Sequence, residues 1–153
     1  MPSFKQYLTL IWFGRYAAVV PGVVASSGWE HVSVGERLTD NSLIGYHSWL
    51  YLFNEEEDGD TNYLGYINVT KTATTTVISM PVELYGSRKA ATEFNIGASP
   101  ELEIALGTLC FIVRPDQPCF VQGADEVKYT METMGYTYNG FRYIEGAHPT
   151  FKL

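Results

Sequence analysis

Histidine is the side chain best suited to moving protons near neutral pH, and this sequence has three, His31, His47 and His148. Their spacing fits no metal-binding pattern, since Cys-x-x-Cys, His-x-His and His-Glu-x-x-His are all absent. Ser48 follows His47, but on an extended segment neighbouring side chains point to opposite faces, so the two cannot pair directly as nucleophile and base. A dispersed triad built from His47, Ser48 and an acid stays open, because triads are defined by geometry and not by chain order. Otherwise His47, and His31 beside Trp29, read as half-buried strand residues, and His148, before Pro149, reads as exposed.

An ionic site is the second candidate. Glu55, Glu56, Glu57, Asp58 and Asp60 crowd into six residues, and Asp58-Gly-Asp60-Thr-Asn62 sets oxygen ligands at alternate positions, as the opening of a calcium loop does. The match ends there, with Tyr63 and Val69 where that pattern requires Gly and Glu. Calcium at Asp58, Asp60 and Asn62 is the one cofactor this reading admits. Its competitor is a solvated acidic turn that keeps strand edges from pairing with other chains. Gly86-Ser87-Arg88-Lys89 would hold an anion only at a helix start, and no phosphate loop or nucleophile elbow occurs. Cys110 and Cys119 would lie diagonally across a hairpin turning on Pro115-Asp116, farther apart than disulfide geometry prefers. They read as free buried thiols, which favours a reducing intracellular compartment or a virion.

Strands dominate the elements that must position these groups. Alternating aromatics flank Asn139-Gly140, so residues 135–144 form a hairpin with both turn residues at positive φ. Leu43–Phe53 and Tyr63–Val69 read as a second hairpin across the acidic loop. The β-branched run from Thr70 to Tyr85 continues as a strand, with Pro81 at an edge or bulge. Ser87–Phe94 and Asp125–Met134 read as short helices. Ser99-Pro100-Glu101 looks like a helix start, yet Leu102, Ile104 and Leu106 alternate as in a strand, and Cys-Phe-Ile-Val after them tilts the segment to strand. Phe4–Tyr16 is equally ambiguous. The fold class is α+β, β-dominated, a mostly antiparallel sheet, sandwich or barrel with one to three short helices. One domain spans 1–153, with 1–25 as an N-terminal arm or helix on a β-rich body, 26–153.

The chain has 153 residues with ten basic and seventeen acidic side chains, a net charge of −7. Affinity for nucleic acid rests largely on basic neutralisation of phosphates, so this balance argues against a nucleic-acid partner. No apolar run is long enough to span a membrane. The eleven Tyr, eight Phe and three Trp include a cluster near the end, Tyr129, Tyr136, Tyr138, Phe141, Tyr143 and Phe151, too dense for one face of a two-stranded ribbon. Tyr and Trp favour protein interfaces. The expectation is a non-catalytic subunit of a larger particle, viral or otherwise, that binds protein subunits or copies of itself through those residues. The alternative is a ligand-binding barrel or a hydrolase using His47 and Ser48 with an acid.

Overall fold

Asn139 and Gly140 both adopt positive φ, 49° and 75°, and the chain reverses there as expected. The computed structural model describes residues 2–16, 26–71, 73, 76–122 and 128–151. In chain order the elements are α1 (Phe4–Phe13), β1 (Arg15–Tyr16), β2 (Ser26–Ser27), α2 (Gly28–Ser33), β3 (Glu36–Arg37), β4 (Leu43–Ile44), α3 (Trp49–Asp58), β5 (Thr61–Tyr63) and β6 (Asn68–Lys71). Then come β7 (Thr76–Leu84), β8 (Ser87–Ile96), α4 (Pro100–Val113), β9 (Cys119–Gln122), β10 (Lys128–Tyr138) and β11 (Phe141–Thr150).

Two antiparallel sheets form the frame, and the fold is α+β and β-dominated. In one, β10 pairs with β11 and β9. In the other, β7 pairs with β8, β6 and β5, and its register shifts between Met80 and Val82, which puts Pro81 at a bulge. Under the β7–β8 sheet lie Leu43, Tyr46, Leu52, Met80, Val82, Leu84 and Phe94. A second cluster joins Ile11 and Trp12 of α1 to Val32, Phe111, Ile144 and Ala147. Trp12 is anchored there by its indole N–H, which donates to the Thr108 hydroxyl at 2.8 Å. Thus α1 packs on the body, capped by reciprocal bonds between Ser3 and Gln6, while residues 17–25 lie outside the described set.

Four helices are present among the described residues, one more than expected, because several segments exchange roles. Only Leu43–Ile44 of the expected Leu43–Phe53 strand is extended; Trp49 onward is α3, capped by Ser48 and stopped by Gly59 at φ 81°. As a helix this segment turns Leu52 and Glu55 inward, and the Tyr85 hydroxyl donates to the Glu55 carboxylate. The expected helix Ser87–Phe94 is instead β8, held along β7, and Lys128–Met134 belongs to β10, paired on both edges. The ambiguous segment 99–113 is helix α4, with Ser99 as cap, Pro100 in the first turn and Glu101 and Glu103 near the positive end of the dipole. With α4 helical there is no hairpin at Pro115-Asp116, and Cys110 and Cys119, 5.6 Å apart at Cα, form a disulfide in place of the free thiols expected.

Candidate active site

The short helix α2 carries His31. Ser27 caps it: the Ser27 hydroxyl accepts from the Glu30 N–H, and the Glu30 carboxylate takes the Ser27 N–H at 3.0 Å. Gly28 sits so close to β11 that a Cβ would lie 2.2 Å from the Ile144 carbonyl oxygen. The far end of α2 is stitched to the segment before α3. The Tyr46 N–H donates to the His31 carbonyl at 3.1 Å and the His47 N–H to the Val32 carbonyl at 2.7 Å. These two bonds set His31 and His47 side by side, though the intervening chain has looped out through β3 and β4.

Gly45 and Tyr46 both have positive φ, 66° and 67°, an uncommon conformation for tyrosine. Tyr46 is held in it by full burial, by edge-to-face contacts with Tyr51 and Phe94, and by its hydroxyl, which donates to Thr61 at 3.0 Å. The double left-handed step turns His47 toward β8, where three residues receive it. The Thr92 hydroxyl donates to the Tyr46 carbonyl at 2.7 Å, so toward His47 Nδ1, 3.2 Å away, it can only accept. The Glu93 carbonyl, 2.9 Å from the same nitrogen, also only accepts. Both neighbours place the proton on Nδ1 and leave Nε2 bare. Lys89 Nζ donates to that nitrogen at 3.2 Å and to the Gly45 carbonyl at 2.5 Å.

Burial governs the electrostatics. The His47 pKa is held well below the usual imidazole value, chiefly by burial and further by the positive potentials of His148, Lys89 and His31. Burial lowers Lys89 to about 8 against the opposing pull of Glu93. His31 Nδ1 faces the Glu36 carboxylate at 3.6 Å, and that contact holds Glu36 below the usual carboxylate range. Nε2 of His31 is then the nitrogen left for chemistry. His148 is mostly buried rather than exposed as expected. Its ring lies on His47 with centroids 4.1 Å apart and planes 3° from parallel. Ligand atoms of His47, Glu93 and His148 fall within 4.8 Å of one another, a spacing compatible with a metal. The stacking opposes it: in-plane lone pairs of two parallel rings cannot both aim at one ion between them.

Behind His47 a cavity of about 20 Å³ is lined by Asn95 and Glu103 together with Trp12, Trp29 and Met131. Burial raises the Glu103 pKa to about 8. The unfolded chain releases this proton near the usual carboxylate value, whereas the folded chain keeps it up to about pH 8. The stability Glu103 contributes is therefore complete in acid and lost as pH rises through that interval. Glu103→Gln, which stays neutral, is expected to raise Tm by several degrees at about pH 8 and to change it little at about pH 4, read by calorimetry.

By sequence His47 reads as a half-buried strand residue and is named as a base only in the alternative, with Ser48. It is instead buried in the turn before α3, and the Ser48 hydroxyl accepts from the Tyr51 N–H as the cap of that helix. His31 lies on a helix rather than a strand. Lys89, expected at a helix N-terminus, lies on a strand, where its contact with His47 had no local signal. The other singled-out residues lie elsewhere. Asp58 ends α3, Asp60 follows the Gly59 cap and Asn62 is in β5 opposite Glu83. Tyr136 and Tyr143 pack on Tyr16, Phe141 on Tyr7 and Tyr143, Tyr129 and Phe151 belong to a core cluster with Val77, and Tyr138 is half-buried in β10.

A bare imidazole nitrogen beside an ammonium, with a second imidazole set against a carboxylate, is equipment for acid–base chemistry rather than for assembly. A sequence model of the family Endoribonuclease XendoU matches residues 1–149, and the chain belongs to that family. It is 34% identical over 152 residues to uridylate-specific endoribonuclease D of Xenopus laevis, covering 96% of this chain and 49% of that protein. It is 32% identical over 147 residues to uridylate-specific endoribonuclease EndoU of Drosophila melanogaster, covering 94% and 45%. Among solved structures it resembles one titled "The structure of XendoU: a splicing independent snoRNA processing endoribonuclease", with TM-score 0.70 and 25% identity over 98% of this chain and 57% of that one. The chain spans about half the length of these relatives.

Family membership overturns three expectations: a non-catalytic assembly or virion subunit, a chain that is not an enzyme, and the exclusion of nucleic acid. Net charge misled because it sums over the whole chain and does not show where a single cation such as Lys89 is placed. Among the described residues no helix is long and apolar enough to cross a membrane.

Proposed function

We propose that this chain carries the catalytic centre of an endoribonuclease that cleaves RNA at uridylates. RNA brings its own nucleophile, the 2′-hydroxyl beside each phosphodiester, so the protein needs to supply only a base, an acid and a positive charge. His47, kept unprotonated by burial and bare at Nε2, accepts the 2′-hydroxyl proton as that oxygen attacks phosphorus. His31, whose Nδ1 faces Glu36 while His148 is stacked on His47, protonates the departing 5′-oxygen as the P–O5′ bond breaks. Lys89 turns from His47 Nε2 to the non-bridging oxygens, where negative charge grows. The products are a 2′,3′-cyclic phosphate and a 5′-hydroxyl. Uridylate preference rests on the names of the relatives.

One observation carries this reading: the 3.2 Å contact between Lys89 Nζ and the bare nitrogen of His47, with the other ring nitrogen fixed on Glu93. The test is incubation of the chain with a uridine-containing oligoribonucleotide and mass analysis of the ends. Cyclic phosphate and 5′-hydroxyl ends are expected. Ends bearing 3′-hydroxyl and 5′-phosphate would overturn the mechanism. The same assay reads an alkaline limb: Lys89 loses its charge near pH 8, so kcat is expected to fall above that pH.

A further inference from the structure

We propose that His148 is a positioning residue that fixes the plane and solvation of the His47 imidazole, an inference that rests on the role given to His47 above. The two rings lie face to face, 4.1 Å apart and 3° from parallel. They come from elements far apart in the chain, β11 and the turn before α3, and one residue of β8 holds both. The Glu93 carbonyl takes His47 Nδ1 at 2.9 Å, while its carboxylate lies 3.7 Å from His148 Nδ1 and accepts from the Ser79 hydroxyl at 3.1 Å. His148 Nδ1 also lies 3.0 Å from the Pro149 carbonyl, which settles its proton on that nitrogen. Any rotation of His47 out of its plane meets the His148 ring on one side. Lys89 and Thr92 meet it at the edge.

His148 also completes the desolvation of His47. The groups facing this pair are Lys89 and Glu93 from β8, Glu132 from β10 and His31 from α2. Burial outweighs each of these charges, so excluded water, with the neighbouring imidazole, decides the state of His47. Burial likewise holds His148 below the usual imidazole value, and the pair remains neutral in the working range. The stack therefore keeps a neutral base in one orientation, saving the entropy of finding it.

The experiment compares His148→Ala, which deletes the ring, with His148→Phe, which keeps a ring without charge. Each is read by kcat and KM on the oligoribonucleotide across pH, and by NMR titration of the His47 ring. For His148→Ala, kcat is expected to fall about 10- to 100-fold with KM changed less than about 2-fold, as for a misplaced reacting group. The acidic limb and the NMR titration of His47 should both move to higher pH, because water reaches the ring. For His148→Phe, kcat should recover to within about 5-fold of the parent, as a stacked ring restores position. A rise in KM at constant kcat would overturn the inference, since His148 would then contact RNA. So would a Phe variant as impaired as the Ala variant, or a His47 titration unmoved in both. If the parent chain does not cleave RNA but its His47 titration moves in the variants, the coupling stands and the endoribonuclease reading fails.

Discussion

Replacing His47 by asparagine is expected to lower kcat for RNA cleavage by about 10²- to 10⁴-fold, the usual worth of a positioned acid–base group. Asparagine is the informative choice because its amide can still donate to the Glu93 carbonyl that now receives His47 Nδ1. What it cannot supply is the bare nitrogen that faces Lys89. The fold should survive, with Tm lowered by a few degrees, whereas His47→Ala would also open a void beneath His148. In the parent, burial and neighbouring positive charge hold His47 well below the usual imidazole value, so the base is already unprotonated in mildly acidic solution. The rate should therefore plateau from below pH 6.5 until Lys89 begins to lose its proton near pH 8. The asparagine variant should lose the acidic limb and keep the alkaline one. Residual activity within about tenfold of the parent, with the acidic limb intact, would assign the base elsewhere.

The parts of this molecule legible in the sequence were those whose cause is local. Asn139-Gly140 announces its turn because few other pairs accept positive φ twice, and Pro81 announces a bulge because it cannot donate to a ladder. The segments misread were those in which tertiary partners outvote local preference. Ser87–Ile96 contains Ala90, Ala91 and Glu93, good helix formers, yet pairing along β7 makes it a strand. Trp49–Asp58 is rich in aromatics suited to strands and ends in acids that oppose the helix dipole. Burial of Leu52 and the Tyr85–Glu55 bond hold it helical. The disulfide was missed through the same error, because its geometry was judged on a hairpin that is a helix. The site failed to announce itself for a deeper reason. His31, His47 and Lys89 sit on a helix, a turn and a strand, joined by backbone bonds and one carbonyl, and no spacing along the chain encodes that meeting.

That carbonyl belongs to Gly45, and Gly45→Ala is expected to damage both folding and catalysis more than any other single-methyl change near the site. Gly45 has φ +66°, and an added Cβ would lie 1.9 Å from the His31 carbonyl oxygen and 3.1 Å from Cδ2 of the His31 ring. The clash is with backbone, so no side-chain rotation relieves it, and the end of α2 must separate from residues 45–47. The Tyr46 N–H bond to His31 would break, and the Gly45 carbonyl, which accepts from Lys89 at 2.5 Å, would shift with it. One methyl group thus displaces His31, His47 and Lys89 relative to one another. Left-handed strain alone costs about 1 kcal/mol or more, and the lost contacts should bring the total to about 3 kcal/mol. Displacement of reacting groups by about 1 Å costs about 100-fold in kcat. Gly59→Ala separates the two effects: Gly59 has φ +81° but an added Cβ would meet nothing within 4 Å. It should lose about 1 kcal/mol from strain and keep full activity. Equal kcat losses in the two variants would mean that backbone strain, and not the meeting of α2 with residues 45–47, limits the enzyme; full activity in Gly45→Ala would remove that junction from the catalytic geometry.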